Sequence, residues 1–334
     1  GSVIENCVLV EGSSITGVEC VGGAAGRVSF DSSITGCSSR VVPAEGENEA
    51  IVVAVSADKY AGGIAGWIEA APETEEAAQA EEGETAEPTE PTVQVKDCVN
   101  RARVTANQYT GGIAGIIENG GTISGCSNSG EVKGSNIYTG GIVASVGENG
   151  TVTGCTNSAP VSGTQYLGGI AGVAENGSSF IDCLNDVDGT PNGSGSCVGG
   201  ILGKLELNGK LLRCENRANI TISASEIGGI VGSNYVDMRG TAVDGWVEYI
   251  ECKNSGNING GTRQAVGGIV GQGEASRNSL AGLRFVDCSN TGDITGGNSI
   301  GGIVGSFAVL IVDGKTPEIV RCTNSGAING NSYA

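Results

Sequence analysis

Short apolar runs, cut apart by glycine, asparagine and serine, set the rhythm of this chain. The pentapeptide Gly267-Gly268-Ile269-Val270-Gly271 is the clearest of them, and close variants start at Gly22, Gly62, Gly111, Gly140, Gly168, Gly199, Gly228 and Gly301. In the fourth copy the final glycine is replaced by Ala144. Where nothing is inserted, the copies lie about 28 to 31 residues apart, a period that marks a solenoid or repeat array. A second apolar run leads to a cysteine fifteen residues after the first glycine, at Cys37, Cys126, Cys155, Cys183 and Cys214. After longer excursions the same place is taken by Cys98, Cys252, Cys288 and Cys322, and Cys7 fills it in a partial first repeat. Two residues later stands an asparagine in most copies, from Asn100 to Asn324, followed by a third run such as Glu131-Val132-Lys133-Gly134. Runs of about four to six residues, rich in β-branched side chains and bounded by turn formers, predict strands. No stretch carries the 3.6-residue apolar period of a helix.

Strands this close together cannot be parallel neighbours joined by hairpins, because a parallel pair needs a crossover. A coil resolves the conflict: each strand bends into the next and pairs with its equivalent one turn along. The pattern therefore predicts an all-β fold, a single parallel β-helix of about ten coils with three short strands per coil. The preference of parallel crossovers makes it right-handed. At roughly 4.8 Å per coil the rod would be about 45–50 Å long. Ile64, Ile113, Ile142, Ile170, Ile201, Ile230, Ile269 and Ile303 would form one internal stack and the cysteines another. The asparagines belong at a corner, where stacked amides can hydrogen-bond along the axis.

The succession Gly-Gly-Ile-Val-Gly, a turn, a run ending Cys-x-Asn-x-Gly, then x-Val-x-Gly, resembles the GLUG repeat over about residues 3 to 330. The cysteine place departs from that pattern, where an aromatic or small residue is usual. The resemblance implies a stalk or surface module of a large bacterial surface protein, among them adhesin-like proteins and some IgA-cleaving metallopeptidases. It implies no catalysis within the repeats.

The whole of 1–334 reads as one solenoid domain. Neither end carries a capping pattern, so the sequence reads as a segment of a longer protein. Residues 40–60 extend the second repeat, with Ile51 to Val55 as a longer strand. Residues 69–92 differ in kind: nine glutamates, no basic residue, and much alanine, threonine and proline predict an acidic, disordered insertion. Later insertions, Ser233 to Tyr249, Gln272 to Phe285 and Ser306 to Glu318, fall between anchor and cysteine and should leave one side of the rod. The net charge of −19 disfavours nucleic acid and anionic membrane as partners. No apolar run is long enough to span a bilayer, so no direct membrane insertion is expected.

Candidate chemistry is sparse. Ten of the twelve cysteines share one repeat position, which suits a stack of small, reduced, buried side chains better than disulfides. Cys20 and Cys197 lie elsewhere, two residues before an anchor. With no histidine and no Cys-x-x-Cys pair, neither zinc nor any other metal or cofactor is expected. Asp186-Val187-Asp188-Gly189 reads as a turn, since the alternating ligands and distal glutamate of a calcium loop are missing. The lack of histidine also excludes metallopeptidase and Ser-His-Asp chemistry within these residues. The chain is therefore expected not to be an enzyme. A polysaccharide-degrading β-helix enzyme is the remote alternative. Tyr60, Tyr109, Tyr138 and Tyr166 share the position two before the anchor and should stack. Facing outward they would be platforms for sugar rings; facing inward, packing. The same position holds Glu226 and Ser299, which suit exposure, and Cys20 and Cys197, which suit burial. The leading expectation is an extracellular or cell-surface structural and adhesive segment, its partner a host or neighbouring-cell glycan or protein. A glycan-binding module on the tyrosines is the alternative.

Overall fold

The computed structural model describes residues 2–10, 13–29, 32–39, 54–69, 93–187, 192–193, 195–234, 244–261, 265–275, 280–309 and 316–330. Every regular element among them is a β-strand. One full coil runs through Val93–Lys96, Val99–Asn100, Arg103–Ala106, Tyr109–Gly111 and Ala114–Ile117. The next repeats it as Thr122–Ser124, Ser127–Asn128, Val132–Gly134, Tyr138–Gly140 and Val143–Val146. Each strand pairs in parallel with its equivalent one coil along, so Ile123 lies beside Val152 and Asn128 beside Asn157. The fold is a parallel β-helix of ten coils.

The three apolar runs are resolved into five strands, which corrects the expected three per coil. The anchor run bends at its glycine pair, and the cysteine run bends at the residue before the cysteine. Equivalent strands build five faces, numbered here from the strand before the cysteine. The first and second faces hold ten strands each and the fourth and fifth hold nine. The third, after the asparagine, is split into sheets of six and four.

The bend between first and second faces is a single residue in the left-handed region. Asn6, Gly36, Asp97, Gly125, Gly154, Asp182, Arg213, Glu251, Asp287 and Arg321 occupy it in successive coils, with φ between 51° and 63°. Their side chains form an outer column, in which Arg213 grips Asp182 with two bonds of 2.7 and 2.9 Å. Arg321 grips Asp287 in the same way.

The interior is divided. Ile64, Ile113, Ile142, Ile170, Ile201, Ile230 and Ile269 join the cysteines and the inward residues of the first and fifth faces in one large core, with Ile303 partly buried against it. A second, smaller lobe between the third and fourth faces is filled by two separate clusters, one with Val104, Ala106 and Ala61 and one further along with Val132, Leu167, Ile227 and Ile258.

Insertions attach mainly at one corner, the passage from fifth face to first. There Val270–Ala275 pairs with a lengthened Val304–Val309, and Asp244–Ile250 with Leu280–Val286. The acidic 69–92 segment joins the rod at the same corner; of it only Glu69 is described, held by Arg27 and Ser29 Oγ. Residues 51–53 of the expected longer strand lie outside the described residues, and the strand is seen from Ala54 to Ala57.

Candidate functional site

The partition between the two lobes is a ladder of amides. Asn100 donates its Nδ2 to Asn128 Oδ1 at 2.7 Å, Asn128 to Asn157 at 2.9 Å, Asn157 to Asn185 at 3.0 Å and Asn185 to Asn216 at 2.8 Å. Asn216, Asn254, Asn290 and Asn324 continue it at 2.7 Å per step. Ser39 Oγ starts the column by donating to Asn100 at 2.6 Å. In most rungs the second Nδ2 hydrogen goes to the carbonyl two residues on, as from Asn157 to Ala159 at 3.0 Å. The Ala159 N–H returns the bond to Asn157 Oδ1 at 3.3 Å. Up to Asn290 these residues are almost fully buried. A buried amide with every donor and acceptor engaged is stable, and the chain of dipoles strengthens itself.

The ladder also explains the double glycine of the anchor. A Cβ on Gly112 would lie 2.4 Å from Asn128 Cγ, and one on Gly141 2.4 Å from Asn157 Cγ. Gly169, Gly200 and Gly229 meet Asn185, Asn216 and Asn254 in the same way. The second anchor glycine and the asparagine are thus two halves of one contact, each limiting what the other position can hold. The final anchor glycine has a different neighbour: at Gly172, Gly203 and Gly232 a Cβ would press on the backbone of the fourth-face strand one coil back. Fourth and fifth faces therefore approach each other back to back on the outside, leaving a crease.

The tyrosines lie in that crease. Tyr60, Tyr109, Tyr138 and Tyr166 are in register, with ring centroids 4.8, 5.1 and 5.3 Å apart. Tyr60 is buried and the other three are half-buried. Trp67 covers the first ring at 5.0 Å, with Lys59 Nζ 4.7 Å from its centroid, and Lys204 Nζ stands 6.0 Å from the last. The ring faces are thus turned to one another and to these neighbours, and the phenol edges face outward. Beneath them Ser145 and Val173 are buried although they point away from the core. Burial, then the adjacent phenols, push the Tyr138 hydroxyl up to about 12. Burial and the carboxylates of Glu206, Glu148 and Glu118 raise Glu175 on the rim. In the same column Cys197 donates to Glu226 Oε2 at 3.2 Å. The mixed occupancy of this position has a plain reason: a crease is neither core nor open surface.

All twelve cysteines are free thiols. Those from Cys37 to Cys288 at the repeat position are buried, and each donates to the carbonyl two residues back, as Cys98 does to Lys96 at 3.2 Å. The thiol of the next coil and then burial hold Cys98 and Cys183 above the usual thiol range, and burial first does so for Cys214 and Cys252. Because these folded-state values lie above the unfolded value of about 8.5, the thiols' contribution to stability is intact below that pH and lost as pH rises above it. Each such thiol adds a slope of about 1.4 kcal/mol per pH unit. The urea midpoint is expected to be flat between about pH 6 and 8 and to fall steeply by about pH 10. A Cys98→Ser/Cys214→Ser protein should show a shallower fall; an identical profile would remove the thiols as its cause. Thiol labelling is expected to reach Cys7 in the native protein and Cys98 to Cys288 only after denaturation, as read by mass spectrometry.

Of the remaining sequence expectations, Asp186 takes a hydrogen bond from Arg217 at 3.3 Å, while Asp188 and Gly189 lie outside the described residues. No group of three or more metal-ligating side chains occurs among the described residues. Among them, too, no helix is long and apolar enough to cross a membrane. The left-handed column escaped the sequence reading, although Gly, Asn or Asp before most of the cysteines was its signal.

Compared with known proteins, residues 106–133 match the family model of the GLUG motif. No curated protein and no solved structure matches the chain. The matched stretch begins at Ala106, runs through one anchor, cysteine and asparagine, and ends in the third-face strand of the next coil, so it spans one turn of the rod. One coil of this β-solenoid, residues 106–133, thus carries the GLUG motif, and the same anchor, cysteine and asparagine pattern recurs in register along the others.

Proposed function

We propose that this chain is a rigid structural and adhesive segment of a bacterial cell-surface or secreted protein, without catalysis of its own, that holds its corner insertions out to a partner. The reading is carried by the uninterrupted asparagine ladder from Asn100 to Asn324, which commits the polar side chains of the interior to axial stiffness. The convergence of insertions on one corner adds a display surface, as insertions on one face of a solenoid commonly do. Export and a bacterial source are inferred from the GLUG motif. The partner is a glycan or protein of a host or neighbouring cell. An array of glycans and extracellular proteins tests this, using the chain and a version with 235–243 and 276–279 replaced by short Gly-Ser linkers. Binding by the first and loss in the second is expected. Silence of the intact chain on every array, with turnover of an acidic polysaccharide, would sink the reading.

A glycan-binding module on Tyr60, Tyr109, Tyr138 and Tyr166 has one observation in its favour, the half-exposed phenol edges of the last three. It has against it that the ring faces are already in contact with each other. On this reading Tyr138→Ala abolishes a glycan signal that the linker version retains.

A further inference from the structure

The tyrosine column has a chemical consequence that neither stiffness nor display requires. We propose that the crease is a site of oxidative cross-linking, in which Tyr109, Tyr138 and Tyr166 of successive coils become joined as dityrosine. The oxidant is a peroxide acting through a haem peroxidase. It takes one electron and one proton from each of two phenols and is itself reduced to two waters. The two phenoxyl radicals form a carbon–carbon bond between ring positions ortho to the hydroxyls. The ortho hydrogens then move to the oxygens, restoring both phenols, so each link costs the protein two hydrogens in all.

Three features of the crease favour this reaction. The parallel register sets Tyr109 beside Tyr138 and Tyr138 beside Tyr166, so each radical has a fixed partner and no encounter is needed. Holding reactants in this way replaces a bimolecular step by an intramolecular one. The centroids are already 5.1 and 5.3 Å apart, and the planes tilt by 44° and 28°. Turning the rings edge to edge and closing the bond moves each centroid by about 0.5–1 Å, the ordinary displacement of an ordered side chain. Lastly, the half-burial of these three rings leaves their edges open to an oxidant while the backbone stays locked in the sheet. Tyr249, by contrast, is fully buried in the large core, stacked on Phe285. The product would be a covalent rung between successive coils.

The test is treatment of the dilute, reduced chain with a haem peroxidase and hydrogen peroxide, followed by dityrosine fluorescence and sequencing of cross-linked peptides by mass spectrometry. Links within one molecule, Tyr109 to Tyr138 and Tyr138 to Tyr166, are expected, each with two hydrogens lost. Tyr138→Phe keeps the ring stack and is expected to remove both links. Links found only between molecules would overturn the proposal. So would an undiminished yield in Tyr109→Phe/Tyr138→Phe, or no product under conditions that dimerise free tyrosine. Peptide sequencing of the unsubstituted chain decides the matter even where a variant folds poorly.

Discussion

Asn157→Ala is expected to lower stability by about 3–6 kcal/mol, far beyond an ordinary polar-to-alanine change. The side chain takes part in four hydrogen bonds, two along the axis with Asn128 and Asn185 and two with the backbone of Ala159. Removing it strands an Nδ2 hydrogen of Asn128, the Oδ1 of Asn185 and both polar groups of Ala159, all in the dry partition between the lobes. Each stranded buried group costs about 1–3 kcal/mol. One water in the vacated volume could recover part of that, which sets the lower bound. Asn324→Ala makes the comparison sharp: in this chain Asn324 is exposed to solvent, which can replace its bond to Asn290, so the loss should be about 1 kcal/mol or less. Because solenoid coils unfold with their neighbours and not all together, hydrogen exchange is the better readout. Protection should fall across the coils carrying Asn128 and Asn185 and hold near Asn290. Equal and small effects at Asn157 and Asn324 would show that the amides merely occupy space.

What the sequence made legible was whatever repeats identically. The isoleucines, cysteines and asparagines each return at a fixed offset, and a fixed offset in a coiled chain can only mean a column. Their three columns stand where the spacing placed them. The bends were harder to read. An apolar run looks the same whether it is straight or folded at a glycine pair, so Gly111 and Gly112 hid a corner inside what read as one strand. The left-handed corner was half visible: Gly125, Gly154, Asn6 and Asp97 suit it, but Arg213, Glu251 and Arg321 do not, and these are held there by coil geometry against a local cost of about 1–2 kcal/mol each. The second lobe was invisible for a different reason. Val132 and Ile123 are alike in type and alternation, and nothing local says which cavity each one fills. The crease followed from that lobe, so the position of the tyrosines could not be read before it.

Gly141→Ala is expected to be severely damaging for a single added methyl, with a loss above about 4 kcal/mol or failure to fold. Its Cβ would lie 2.1 Å from the carbonyl oxygen of Gly169 and 2.4 Å from Asn157 Cγ. Neither neighbour can retreat. The carbonyl belongs to the equivalent glycine one coil on, in a backbone locked by the parallel ladder on both sides. The amide is fixed by four hydrogen bonds, and pushing it aside breaks the same column that Asn157→Ala would empty. Gly120 supplies the contrast, since a Cβ there meets nothing within 4 Å and the only obstacle is its φ of +71°. Gly120→Ala should therefore cost about 1–2 kcal/mol. Gly120→Asn should cost less, because Asn149 and Asn208 already hold the corresponding turn position at φ of 56° and 54°. Urea midpoints of the three variants should fall in that order. Were Gly141→Ala to match Gly120→Ala, the glycine pair would be there for its backbone angles alone, and the coupling of anchor to amide would have no energetic content.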